Sequence, residues 1–214
     1  MALEVHTFVS GVMETNTYVL RSGSRWAVID PGIGPAGLLG FLRREQVVPD
    51  QVLLTHGHCD HIAGINDVHD QVGPVAVWCP ARDAEMLCDP AKNLSALFGM
   101  PIAVPAADHL FAAGDVLAVG ETRWEALDTS GHTIGGVSLY CPAESTVFTG
   151  DALFHLGIGR ADMPGGDEDR LLENIHTKLL TLPPETVVYP GHGPATTIGR
   201  EAEQNSFLSD RKNR

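Results

Sequence analysis

The sequence predicts an α/β domain, and three observations predict it. Short runs rich in β-formers alternate with helical spacings along most of the chain. The 214 residues are long for one average domain and short for two, so one domain with a sizeable core fits. A hydrophobic share of 43% against 19% charged is that of a soluble globular protein, and no apolar run reaches the length of a membrane span.

The elements follow in order. Residues 3–9, 17–21 and 26–29 read as three strands joined by tight turns, one at Ser22-Gly23-Ser24. Asp30-Pro31-Gly32 stops the third. Residues 35–45 place Leu38, Leu39 and Leu42 at helical spacing behind a proline, which predicts a helix. Residues 52–54 form a short apolar strand, 62–72 a helix, 75–79 a strand and 81–87 a short helix. Residues 89–109 carry prolines at 90, 101 and 105 and an apolar patch at 97–100 but no clear period. Such a stretch fits a functional flap or an ordinary surface connection. Strand patterns return at 116–119, 124–127, 137–140 and 146–148. A helix is expected over 168–182, a strand over 186–189 and a last helix over 200–208, with a frayed polar tail over 209–214.

Composition narrows the function. A formal net charge of −13 excludes a general nucleic-acid binder, which needs a basic footprint. It says less about a small anionic substrate, because exposed charges are screened beyond roughly 8 Å at physiological salt. Residues 1–6 lack a basic region followed by an apolar one, so no signal peptide is expected. Cys59, Cys79, Cys88 and Cys141 show no CxxC spacing, which fits reduced thiols and a cytoplasmic protein.

The chemistry concentrates in Thr55-His56-Gly57-His58-Cys59-Asp60-His61, directly after the apolar run 52–54. A strand end is a rigid platform from which a loop can aim side chains. Three histidines and an aspartate suit zinc or iron and exceed what one tetrahedral site requires, which suggests two ions. Three later stretches share one setting, a polar residue just after a strand and flanked by glycine: Ser130-Gly131-His132-Thr133, Thr149-Gly150-Asp151 and Pro190-Gly191-His192-Gly193. The expected sets are His56, His58 and His132 for one ion and Asp60, His61 and His192 for the other, with Asp151 bridging both.

These motifs, with Gly150-Asp151-Ala152-Leu153-Phe154, Gly157-Ile158-Gly159-Arg160 and the upstream Val28-Ile29-Asp30-Pro31-Gly32, resemble the metallo-β-lactamase superfamily and, within it, the glyoxalase II-like hydrolases. The resemblance spans nearly the whole chain. It implies a four-layered αββα sandwich, two mixed sheets face to face with helices outside and the metals at one edge. It also implies that Asp30 supports a ligand by hydrogen bonding and that Arg160 contacts substrate. Cys59 is expected to point away from the ligands, and His6, His69, His109, His155 and His176 match no motif.

Two divalent ions with Asp60, Asp151 and a hydroxide leave a net charge of about +1 when the histidines are neutral. Such a centre makes hydroxide at neutral pH and stabilises an oxyanion. The expected reaction is attack of a metal-bridging hydroxide on a thioester of the S-D-lactoylglutathione kind, or on a related ester or lactone. Zinc is the expected metal, and the same ligands accept iron or manganese. Full-length glyoxalase II enzymes have a C-terminal helical domain, which is not expected here, and Asp162 and Pro194 stand where those enzymes have tyrosines. The pattern at 159–167 is closer to the short, single-domain bacterial glyoxalase II-like proteins. One alternative is a mononuclear iron persulfide dioxygenase using His56, His132 and Asp151 as a facial triad. Another is a binding module on a dead site, which an intact set of seven ligands disfavours.

Overall fold

The computed structural model describes residues 3–209. The first sheet is built from β1 (Glu4–Ser10), β2 (Thr15–Ser22), β3 (Arg25–Ile29), β4 (Gln51–Leu53), β5 (Ala76–Pro80) and β6 (His109–Phe111), in that spatial order. The pairs β1–β2 and β2–β3 are antiparallel hairpins. From β3 to β6 the strands run parallel. Parallel neighbours need crossovers. Here these are α1 (Ala36–Glu45) between β3 and β4, and α2 (Cys59–Ile62) with α3 (Gly64–Gln71) between β4 and β5. The second sheet uses β7 (Val116–Val119), β8 (Thr122–Asp128), β9 (Val137–Cys141), β10 (Thr146–Gly150), β13 (Val187–Pro190) and β14 (Thr196–Thr197), with β10 and β13 parallel. A small hairpin of β11 (Leu153–Phe154) and β12 (Gly157–Ile158) follows β10.

Side chains alternate across a strand, and that alternation sorts the buried residues into three cores. Val19, Val28, Val52 and Val77 face outward from the first sheet onto Leu38, Leu42, Ile62 and Val68 of its helices. Their neighbours Leu20, Ile29 and Leu53 face inward and meet Trp124, Leu139 and Phe148 of the second sheet. The far side of the second sheet, with Val147 and Val188, packs on Leu171, Ile175, Leu179 and Ile198. Three cores between four layers make the αββα sandwich. Burying a large apolar side chain is worth roughly 1.5–3 kcal/mol. Trp124 takes that gain without an orphaned donor, since its Nε1–H reaches Thr122 Oγ1 at 2.9 Å.

Several elements differ from the sequence expectation, each for a physical reason. The helix expected over 168–182 is α4 (Glu168–Asn174), capped by the Asp167 carboxylate, running into a π-helical turn at Ile175–Leu179. The last helix divides at Asn205 into α5 (Ile198–Gln204) and α6 (Ser206–Ser209). Residues 89–109, expected as a functional flap or an ordinary surface connection, form a strap pinned by side-chain hydrogen bonds. Asn93 is fully buried and donates to the Met86 and Ile102 carbonyls. It accepts from the Ser95 amide and hydroxyl, and its own carbonyl takes the Cys59 amide. A short 3₁₀ helix follows at Ser95–Phe98, and β6 closes the stretch. Side-chain bonds of this kind leave no hydrophobic period for a sequence reading to detect. From residue 210 on, the tail expected to fray lies outside the described residues.

Candidate metal centre

Four strands deliver the site. The parallel strand β4 ends into Leu54-Thr55-His56, and the following loop and α2 carry His58, Asp60 and His61. β8 ends into the loop with His132, β10 into Asp151, and β13 into His192. The last loop is tied back to the first sheet by an isolated bridge between Thr15 and His192 and by a hydrogen bond from the Asn16 backbone amide to the Gly191 carbonyl at 2.7 Å. The polar side chains therefore gather at one edge of the sandwich, where both sheets end.

They form two groups with a shared carboxylate. His56, His58 and His132 each offer a ring nitrogen, all within 4.8 Å of one another, and Asp60, His61 and His192 do the same with their ligand atoms. His58 Nδ1 and His132 Nε2 are 2.8 Å apart. His61 Nε2 and His192 Nε2 approach Asp60 Oδ2 at 3.4 and 3.2 Å. Asp151 touches both groups: Oδ2 lies 3.4 Å from His132 Nε2 and 3.4 Å from His192 Nε2, and Oδ1 lies 3.3 Å from His61 Nε2. All seven sequence-predicted ligand residues thus converge.

The surroundings fix the rings. His61 Nδ1 is 3.0 Å from Asp30 Oδ2, His56 Nδ1 is 3.1 Å from Thr55 Oγ1, and His132 Nδ1 is 2.6 Å from the Arg160 carbonyl oxygen. The Thr15 hydroxyl donates to Asp60 Oδ2 at 2.9 Å. Each outer contact leaves the other ring nitrogen directed into the cluster, the arrangement that orients histidine ligands in metal proteins. Asp30, His56 and His61 also lie close enough to form a group. The Asp30 oxygens, however, already accept two bonds from Thr55 as well as facing His61, which suits support rather than ligation.

A divalent ion fits this donor set. Within the cluster, His56 Nε2, His61 Nε2 and Asp151 Oδ1 are buried and lack a hydrogen-bond partner. Buried polar atoms without partners are costly and point to a missing ligand. The protonation pattern differs between the groups. Burial holds His56 well below its ordinary value, and burial with the neighbouring His132 lowers His58 to about 3, so these rings are neutral donors. Burial also opposes protonation of His61 and His192. Asp60 and Asp151 outweigh it, raising His61 well above its ordinary value and His192 to about 10. Against its own desolvation, Asp60 is held at about 2, chiefly by His61, and Asp151 is lowered in the same way.

A cleft of 280 Å³ opens over the cluster, with Met13, Leu94, Phe98 and Met163 as apolar walls and Arg160 among its lining. The Arg160 guanidinium is exposed and grips Asp162 with two bonds, at 2.7 and 2.8 Å. Cys59 is buried and belongs to neither ligand group, and burial pushes its thiol up to about 11. Sequence reasoning missed Thr15, which lies 45 residues from the aspartate it holds, and the wall residues Met13, Leu94 and Met163. The apolar run at 97–100 hinted at the cleft through Phe98, as the resemblance did through Arg160.

Known proteins resemble this chain in sequence and in fold. The family model described as "Metallo-beta-lactamase superfamily" matches residues 10–192. A protein of Bacillus subtilis named "Probable metallo-hydrolase YqgX" is 36% identical over 200 residues, covering 93% of this chain and 94% of its own length. "Hydroxyacylglutathione hydrolase GloC" of Haemophilus influenzae is 34% identical over 187 residues, covering 86% and 88%. The crystal structure of the BLEG-1 B3 metallo-beta-lactamase superposes with a TM-score of 0.91 at 40% identity over 96% of this chain and 100% of that one. TTHA1623, crystallised in a di-iron-bound form, gives 0.84 at 33% identity over 95% and 100%.

Proposed function

The chain belongs to the metallo-beta-lactamase superfamily, and from that premise we propose that it hydrolyses a small-molecule thioester of the S-D-lactoylglutathione kind, or a related ester or lactone, at a pair of divalent ions. At the coarser level it is a metallohydrolase with a histidine–aspartate cluster suited to divalent metal. The observation that carries the finer reading is Asp151, whose two oxygens lie within 3.4 Å of His132 on one side and of His61 and His192 on the other. A carboxylate so placed serves two cations better than one.

In this reading His56, His58 and His132 would hold one ion and Asp60, His61 and His192 the other, with Asp151 available to both, zinc as the proposed metal and iron or manganese compatible with the same donors. When bound, the ions would acidify a water for attack on a carbonyl and polarise that carbonyl. The residues do the rest. Asp30, Thr55 and the Arg160 carbonyl orient the ligand rings. Thr15 holds Asp60. Met13, Leu94, Phe98 and Met163 shield the reacting atoms from bulk water, and Arg160 at the cleft can receive an anionic part of the substrate. The relative named GloC is a hydroxyacylglutathione hydrolase, which supports a thioester as the substrate class. Among the described residues no helix is long and apolar enough to cross a membrane.

The test is a metal count on the purified protein together with hydrolysis of S-D-lactoylglutathione, simple thioesters and lactones, with Asp151→Ala beside it. Two equivalents of metal and thioesterase activity, both lost in the variant, are expected. Retention of both metals with full activity in Asp151→Ala would refute the bridge. The second reading is a mononuclear iron persulfide dioxygenase on His56, His132 and Asp151, for which the iron in the similar TTHA1623 fold supports the choice of metal alone. Oxygen consumption with glutathione persulfide, in place of thioester hydrolysis, would establish it.

A further inference from the structure

Asp83 belongs to none of the ligand motifs. It sits in the 3₁₀ stretch Ala81–Met86 and is fully buried. Its Oδ2 accepts the Gly57 amide at 3.1 Å and the Thr133 hydroxyl at 2.6 Å, and its Oδ1 accepts the Gly135 amide at 2.8 Å. Gly57 separates His56 from His58, while Thr133 and Gly135 follow His132. One carboxylate therefore joins the loop that carries two histidines of the first group to the loop that carries the third. The fit is close on both sides. A Cβ at Gly57 would lie 2.7 Å from Met86 Cβ, and one at Gly135 would lie 2.6 Å from Asp83 Oδ1. Both loops press their backbone against this one short element.

We propose that Asp83 is a positioning residue that sets the spacing of His56, His58 and His132 and thereby the affinity of that triad for its ion. The proposal rests on the reading that the triad holds a metal. The chemistry of the bonds explains the residue type. Three donors converge on one side chain, and two of them are backbone amides that cannot turn. A carboxylate offers an acceptor oxygen to each, whereas an asparagine in either orientation sets its own NH₂ against an amide N–H. Asp60, His61 and His192 receive no bond from Asp83, so the effect belongs to the first group alone.

The experiment is a cobalt(II) titration of the metal-free full chain, read by absorption, in two backgrounds. His192→Ala keeps the triad and removes a donor of the other group, and His58→Ala does the reverse. In the His192→Ala background, Asp83→Asn should weaken cobalt binding by about 10–100-fold, the usual range for loss of an outer partner. In the His58→Ala background it should change the affinity by less than about threefold, within the scatter expected of independent sites. Thr133→Val should weaken the triad in the same background, and Thr133→Ser should restore it, which keeps the test open should Asp83→Asn fail to fold. Unchanged affinity at the triad, or equal losses in both backgrounds, would overturn the positioning role. Cobalt binding in His58→Ala but none in His192→Ala would sink the metal reading of the triad and take this proposal with it.

Discussion

Asp30 and Thr55 are joined by two hydrogen bonds, from the Thr55 amide to Oδ1 at 2.8 Å and from the Thr55 hydroxyl to Oδ2 at 2.6 Å. The same Oδ2 faces His61 Nδ1 at 3.0 Å. Asp30 adopts φ 48, a left-handed backbone that aspartate tolerates better than most residues. Strained backbone of this kind persists where surrounding bonds over-determine it. Asp30→Asn should weaken metal held by Asp60, His61 and His192 by roughly 10–100-fold. It should also cost about 1–3 kcal/mol of stability, since one buried donor loses its acceptor. Metal content after dialysis and a urea melt of the metal-free protein measure the two effects separately.

Metal uptake should release protons from the histidines of the second group. In the metal-free protein His192 is raised to about 10 and His61 is raised well above its ordinary value, so both are cations at pH 7. His56 and His58 are already neutral. A ligand histidine must be neutral, so filling the second group at pH 7 should release about two protons. Calorimetric titration in buffers of different ionisation heats counts them, and release of none would contradict the assignment. The stability of the metal-free protein follows the same signs. His192 binds its proton more tightly folded than unfolded, so its contribution is complete below pH 6.5 and is lost as pH rises through about 10. His58 is the reverse: its contribution is complete above pH 6.5 and is lost as pH falls toward about 3.

Gly191 packs directly against two of the proposed ligands, Asp151 and His61. Its amide donates to the Gly150 carbonyl at 2.7 Å, and a Cβ there would collide with Asp151 Oδ1 and come within 2.8 Å of His61 Cε1. Gly191→Ala must push Asp151 off its place between the two groups. Displacement of about 1 Å at a reacting centre can cost on the order of 100-fold. The expected result is a fall of that size in kcat, with loss of metal and a melting temperature close to that of the parent in the metal-free state. Full activity in this variant would show that Asp151 has room the geometry denies.

Much of this candidate site was legible because its proposed ligands announce themselves locally. His56, His58, Asp60 and His61 fall within six positions, and His132, Asp151 and His192 each follow a strand beside a glycine. The core strands were legible for the same reason, as β-rich runs such as residues 26–29 and 146–148. What supports the ligands was not. Thr15 holds Asp60 from 45 residues away, and Asn93 ties the strap to the Cys59 amide from an unpatterned stretch. Glu201 is fully buried and accepts from Leu156, Thr196 and Asn205, pinning the β11–β12 hairpin, although its sequence context is that of an exposed helix face. Single polar residues with distant partners carry no period, so only the folded chain discloses them.

Arg160 should govern substrate binding and leave the chemistry alone. Its side chain reaches the cleft but is held by Asp162 through two exposed bonds, while its backbone carbonyl serves His132. Truncating the side chain preserves that carbonyl. Arg160→Ala should therefore raise KM for an anionic thioester about tenfold with kcat changed by less than about threefold, the signature of lost uniform binding. Asp162→Ala releases the guanidinium from its internal partner and should lower KM for the same substrate. Both effects should shrink between low and high salt, because exposed charge interactions are screened. Steady-state kinetics at two salt concentrations decides the matter, and a fall in kcat at constant KM in Arg160→Ala would place the guanidinium in the reaction itself.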